Sequence, residues 1–279
     1  MTTPIRCGCF TLATLLVVGC GGDPEPTRPD AASVDGPGPD ATSVDALDLD
    51  GPSPDAAIDA IADAPAVRLA DTVVAAPGAT GSGFGDATRA VNGVRGAGTG
   101  GGGFDVFSLG YDVGHNDFIT LAWSNGRLRN GAGPDLAVFE NPFLTGEGTF
   151  MDLIIVEVSI DGIEFRALAH HYAAADPTVY RNDASLWQGF AGRTPVRLNA
   201  DTNPVDPFDN AAAGGDLFDL DSVEGTDAVA QAIRADGVSF VKLIAAPARV
   251  NPDTGALYPR EPISNGADLD GVYGRYVAP

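Results

Sequence analysis

Residues 133–165 read GPDLAVFENPFLTGEGTFMDLIIVEVSIDGIEF. Apolar and polar side chains alternate from Asp135 to Asn141, and a longer apolar run extends from Met151 to Ile160. That run resolves into Val156-Glu157-Val158-Ser159-Ile160, which turns Glu157 and Ser159 away from the valines if the segment is a strand. Asp161-Gly162 follows, then Ile163-Glu164-Phe165. Asp-Gly between two alternating apolar runs is a strong hairpin signal, because a type I′ turn needs positive φ at both central positions. The stretch predicts a central hairpin in an antiparallel sheet.

The chain on either side repeats this pattern. Strands are expected at 72–75, 104–109, 118–123, 135–139, 153–160, 163–169, 196–198, 238–245 and 269–276. Between them stand turn sequences such as Ser124-Asn125-Gly126, Asn130-Gly131, Asp236-Gly237 and Asp253-Thr254-Gly255. Many short strands joined by Gly- and Asn-rich turns predict an all-β fold, an antiparallel β-sandwich. One helix is expected from Thr226 to Ala235, bracketed by Gly225 and Gly237. The glycine run 96–103 resembles a phosphate loop only in glycine content, since it has no lysine and no strand–helix setting.

Three segments are expected along the chain: a signal peptide at 1–19, a tether at 20–65 and the β-sandwich at 66–279. Arg6 precedes the apolar run Phe10–Val18, which is short for a membrane span and ends Val17-Val18-Gly19-Cys20. This resembles a bacterial lipoprotein signal and predicts lipidation at Cys20, with the membrane as a partner through that anchor. An outer-membrane or cell-surface location is expected. Residues 21–65 hold 11 acidic residues and one arginine, with Pro-Asp-Ala recurring at Pro29, Pro39 and Pro54. Such a composition buries too little apolar surface to offset chain entropy and predicts a disordered stalk. Cys7 and Cys9 would leave with the signal peptide, so the domain would stand on its core alone.

The formal net charge is −22, and the expected domain carries 27 acidic against 14 basic residues. That balance argues against a nucleic-acid partner.

Several motifs, in order, carry a family resemblance. They are Phe107-Ser108-Leu109-Gly110, Phe139-Glu140-Asn141-Pro142-Phe143, Val156–Phe165, Gln188-Gly189-Phe190-Ala191-Gly192, Gly214–Leu220, Asn251-Pro252 and Gly266–Val272. Together they resemble a family of bacterial secreted cell-surface proteins with a "FENPF…VEVSxDGxxF" core. The resemblance implies an extracellular β-sandwich similar in appearance to galactose-binding and carbohydrate-binding jelly rolls. It implies no defined activity.

Acidic residues and one asparagine gather near the expected strand ends: Asp135, Glu140, Asn141, Asp152, Glu157, Asp216, Asp219, Asp221, Asp268 and Asp270. Hard divalent cations take six to eight oxygen ligands. Glu140, Asn141, Glu157, Asp216, Asp219, Asp221, Asp268 and Asp270 are therefore candidate calcium ligands, assembled from distant segments because no EF-hand spacing is present. The loops at 216–221 and 268–270 are expected to converge at a sheet edge. The competing expectation is that these carboxylates are solvated or cap turns. Glu140 shares a strand face with Leu136 and Val138. Buried there it would need a partner or a metal; with Phe139 facing inward it would instead be wet. Glu140 and Glu157 as a hydrolytic pair would need a separation of about 5–10 Å across a cleft.

Trp187 and Tyr180 are the aromatic candidates for stacking on a ligand. The adjacent His170 and His171 would point to opposite faces of a strand, and His115 sits in a turn-like setting. No Gly-x-Ser-x-Gly elbow nominates a nucleophile. The function expected is a lipid-anchored surface domain that binds a glycan, a surface polymer or a protein, with calcium as the candidate cofactor. A secreted hydrolase and a structural envelope component are the alternatives. A deep cleft with facing carboxylates would mark the hydrolase, and a shallower groove with exposed aromatics the binder.

Overall fold

The computed structural model describes residues 66–77, 83–111 and 117–279. The expected signal peptide, Cys20, the stalk and His115 lie outside them. The described chain is an all-β protein built on two antiparallel sheets. In order, its strands are β1 (Ala66–Leu69), β2 (Thr72–Ala75), β3 (Phe107–Leu109), β4 (Phe118–Ala122), β5 (Arg127–Leu128), β6 (Leu136–Glu140), β7 (Phe143–Thr145), β8 (Gly148–Phe150), β9 (Ile154–Ser159), β10 (Phe165–Ala167), β11 (His171–Tyr172), β12 (Trp187–Gln188), β13 (Asp216–Phe218), β14 (Phe240–Ala245) and β15 (Ala267–Ala278). Among the described residues two α-helices, α1 (Asn210–Ala213) and α2 (Ala228–Asp236), lie between β12 and β13 and between β13 and β14 in the chain.

The first sheet runs β1-β15-β6-β13, with β3 and β5 also paired to the long strand β15; the second runs β10-β9-β14-β4-β2. Leu136, Val138, Leu269 and Val272 from the first sheet share one buried cluster with Leu121, Val156, Val158 and Leu243 from the second. This shared layer is what makes the pair a sandwich.

Strand side chains alternate between faces, and the outer faces are covered as well. Ile155 and Ile244 of the second sheet pack outward against Met151, Tyr172, Trp187, Phe190 and Tyr258. Ala137 and Phe139 of the first sheet pack outward against Val94, Val196, Leu198 and Phe208. All five residues of β6 are consequently buried. The choice between an inward Glu140 and an inward Phe139 dissolves, because Phe139 faces the outer cluster while Glu140 follows Leu136 and Val138 into the space between the sheets.

The hairpin at Asp161-Gly162 exists, with a different turn and place. Register pairs Ser159 with Phe165, so five residues connect β9 to β10. Gly162 has φ +76°, while among the described residues no non-glycine residue has positive φ, which rules out type I′. Asp161 organises the loop instead, its Oδ1 accepting from Ile163 N at 2.8 Å, Glu164 N at 3.0 Å and Ser159 Oγ at 3.0 Å. This is the side-chain mimicry of a backbone turn that suits aspartate. β10 is an edge strand, and the middle of the second sheet is β14. The expected strand at 196–198 is an irregular segment under the first sheet, and the expected acidic loop at 216 begins with β13.

The expected helix is α2. The Asp227 side chain caps it by accepting from Ala230 N at 3.0 Å, and Gly237 ends it at φ +76°. Ala230 and Ile233, three residues apart, turn its buried face to the inter-sheet core.

Candidate functional site

A cleft of about 460 Å³ opens beside the β7–β8 hairpin, its walls including Thr145, Glu147, Phe150, Tyr180, Asn182 and Glu261. The hairpin is stiffened by Phe143 stacked on Phe150, with ring centroids 4.8 Å apart. It is tied to the opposite wall at Asn182, whose carbonyl accepts from Thr149 N at 2.9 Å and whose Nδ2 donates to Glu147 O at 2.8 Å. The Tyr180 hydroxyl donates to Met151 O at 3.0 Å. Glu261 is held by its own loop, with Oε2 accepting from Ile263 N and Ser264 N at 2.6 Å each.

Behind this wall lies a buried carboxyl pair. Asp152 accepts from the Tyr111 hydroxyl through one oxygen and from Ser264 Oγ, at 2.6 Å, through the other. Glu140 Oε1 accepts from Asp268 N at 2.9 Å, while its Oε2 has no hydrogen-bond partner among the described residues. Glu140 is only 3% exposed. Burial, and then the Asp152 and Asp268 carboxylates, push its pKa well above the ordinary range. Asp152 is also raised, by burial first, against the lowering by its two hydroxyl donors. Tyr180 connects pair and cleft: burial, then Asp152, Glu261 and Glu140 in that order, raise its hydroxyl pKa.

Gly192 closes over the same spot with φ +89°. A Cβ there would fall 2.3 Å from Asp152 O and 3.2 Å from Glu140 Oε2.

The nominated residues divide among several neighbourhoods. Glu140, Asn141, Asp268 and Asp270 share one region of the first sheet. Asn141 Nδ2 reaches Asp268 O at 3.4 Å. Both oxygens of Asp270 accept from Arg95 N at 2.9 Å, and burial raises its pKa to about 7. Asp216 lies on β13, and β6 separates it from β15. That is two strand spacings, roughly 10 Å, so the two acidic segments do not converge. Asp216 has its own partners, accepting from Arg193 N at 2.8 Å and Thr194 Oγ1 at 2.9 Å. Asp219 caps the turn 220–222 by accepting from Asp221 N, and Asp221 accepts from Asn130 Nδ2 at 2.8 Å. Glu157 is on the second sheet, opposite Lys242, with which it pairs at 3.4 Å. Among the described residues no group of three or more His, Cys, Asp or Glu side chains is placed to hold a metal ion.

Of the two aromatic candidates, Tyr180 lines the cleft and Trp187 does not. Trp187 is fully buried, stacked on Tyr172 at 3.6 Å between centroids, and its indole N–H donates to Arg181 O at 2.9 Å. His170 packs edge-on against Phe190 at 5.0 Å, and His171 pairs with Asp253 at 3.1 Å on the surface.

Asp152 carried a visible cue, being an acid beside an apolar strand. Tyr111, Glu261 and Ser264 carried none, because they sit in irregular segments and reach the site only through tertiary packing.

No protein-family model, no curated protein and no solved structure matches the chain.

Proposed function

We propose that the protein is an exported surface binding protein, held at the membrane through a lipid on Cys20, whose β-sandwich takes a glycan in the cleft beside the β7–β8 hairpin. The order of the Phe139–Phe143, Val156–Phe165 and Gly266–Val272 motifs supports the surface-protein resemblance. The observation that carries the reading is the cleft itself. Phe150 and Tyr180 offer aromatic surface for the apolar face of a sugar, and Glu147, Asn182 and Glu261 offer polar groups for its hydroxyls.

A glycosidase would need an acid and a second carboxylate facing each other across the cleft. The carboxyls of raised pKa nearest the cleft, Glu140 and Asp152, are 3% and 6% exposed and stand behind the wall. That arrangement favours binding over hydrolysis.

Titration calorimetry of the full chain against a panel of oligosaccharides tests the reading. A glycan should bind, and Tyr180→Ala and Phe150→Ala should each weaken it by at least tenfold. Failure of every glycan to bind, or wild-type affinity in both variants, would refute it. Mass spectrometry of the mature N-terminus should find acyl chains on Cys20.

A further inference from the structure

The cleft wall contains carboxylates and no basic residue: Glu147 and Glu261 line it, and no Arg, Lys or His does. Asp152 and Glu140 stand behind Tyr180 and burial raises the pKa of both, so the carboxylates that face the cleft are Glu147 and Glu261. Among the described residues no ion pair includes Glu140, Glu147, Asp152 or Glu261. Among the described residues Asp152 accepts from the neutral hydroxyls of Tyr111 and Ser264. The guanidinium of Arg260 lies over the Tyr111 ring, 5.3 Å from its centroid. Glu140 Oε2 is buried without a hydrogen-bond partner among the described residues.

A cleft bordered by charge of one sign, with low-dielectric walls, focuses its field and concentrates ligands of the opposite sign. The occupant should therefore carry positive charge.

Two observations decide what kind of cation. A calcium ion takes six to eight oxygen ligands. Here both Asp152 oxygens and one Glu261 oxygen already accept hydrogen bonds, and no three His, Cys, Asp or Glu side chains among the described residues are grouped for a metal. The volume of about 460 Å³ instead suits an organic ligand. Phe150 and Tyr180 can stack on a ring and attract an ammonium group through their π faces.

We infer that the cleft selects glycans bearing free, protonated amines, such as unacetylated hexosamine units, over neutral and anionic sugars. The inference rests on the glycan reading and adds a charge requirement to it.

The test is titration calorimetry of the full chain with a β-1,4-linked glucosamine tetramer, its fully N-acetylated counterpart and a uronic acid oligomer. Acetylation removes the charge and leaves the ring. The amine form should bind at least tenfold more tightly than the acetylated form, and the uronic acid should not bind. The preference should shrink as salt rises, since screening weakens charge attraction. In Glu261→Gln the ratio of amine to acetyl affinity should fall toward one; the amide retains an oxygen to accept from Ile263 N and Ser264 N. Glu147→Gln, on the exposed hairpin turn, should move the ratio the same way. Equal affinities for the amine and acetyl forms would overturn the charge requirement and leave glycan binding standing. Binding of none of the three would overturn this inference, and silence across a wider glycan panel would overturn the binding reading too. Stoichiometric calcium uptake that the amine sugar displaces would mark a metal site and overturn the inference as well.

Discussion

Asp270→Asn isolates the energetic cost of a buried carboxylate. Asp270 is fully buried on β15, and its pKa rises from 3.8 to about 7. Burial is the main cause, opposed by the Arg95 N–H and the Asn141 amide. Between pH 4 and 7 the folded state therefore holds more of this proton than the unfolded chain does. Stability must fall as pH rises across that window, because the slope follows the excess of protons bound by the unfolded state, which here is negative. At about 1.4 kcal/mol per pKa unit, a shift of about three units costs about 4 kcal/mol by pH 8. Asparagine has no proton to lose and can keep one oxygen facing Arg95 N. The stability of the variant relative to wild type should accordingly rise by about 4 kcal/mol between pH 4 and pH 8. Whatever fixed offset the lost second acceptor introduces is the same at both ends. Urea unfolding followed by tryptophan fluorescence gives the difference directly, since Trp123 and Trp187 are both buried. A difference that stays constant within about 1 kcal/mol from pH 4 to 8 would refute the assignment of a raised pKa to Asp270.

Gly192→Ala should destabilise the domain by at least 1–2 kcal/mol, about the cost of placing a side chain at positive φ, with more from the 2.3 Å approach of the new Cβ to Asp152 O; a thermal melt at neutral pH reads it, and a neutral result would refute the closure. Trp187→Ala should cost about 3–5 kcal/mol, because the indole is fully buried against Tyr172; denaturant unfolding that shows a loss below about 1 kcal/mol would mean the ring is dispensable to the outer cluster.

The β-strand pattern was legible wherever one segment's own residues carried it. Val156–Ile160 and Val238–Ala245 show enough apolar length to specify strands without outside help, and Asp227 with Gly237 marks both ends of α2. At β6 the sequence left open which face is wet. Its alternation is regular, yet both faces are buried, because residues 194–213 fold over the outer side of the first sheet and supply Val196, Leu198 and Phe208. No local pattern announces a cover that comes from 60 residues downstream. Trp187 illustrates the converse: its polar neighbours Asn182, Asp183 and Gln188 suggest a surface loop, and the ring turns inward because Tyr172 and Phe190 complete a cluster around it.

The sequence alone determined the antiparallel all-β class, the hairpin at Asp161-Gly162, the helix near 228–236 and the acidic character of the domain. These follow from side-chain periodicity, turn chemistry and charge, all of which act over a few residues. Tertiary structure decided which carboxylates meet. Glu140, Asp152 and Glu261 come from strand β6, the approach to β9 and a loop before β15, and only tertiary packing brings them to one neighbourhood, Glu261 on the cleft wall and the other two behind it. The same stacking parts Asp216 from Asp270 by the width of β6, since strand order in a sheet is set by long-range pairing that sequence spacing does not encode.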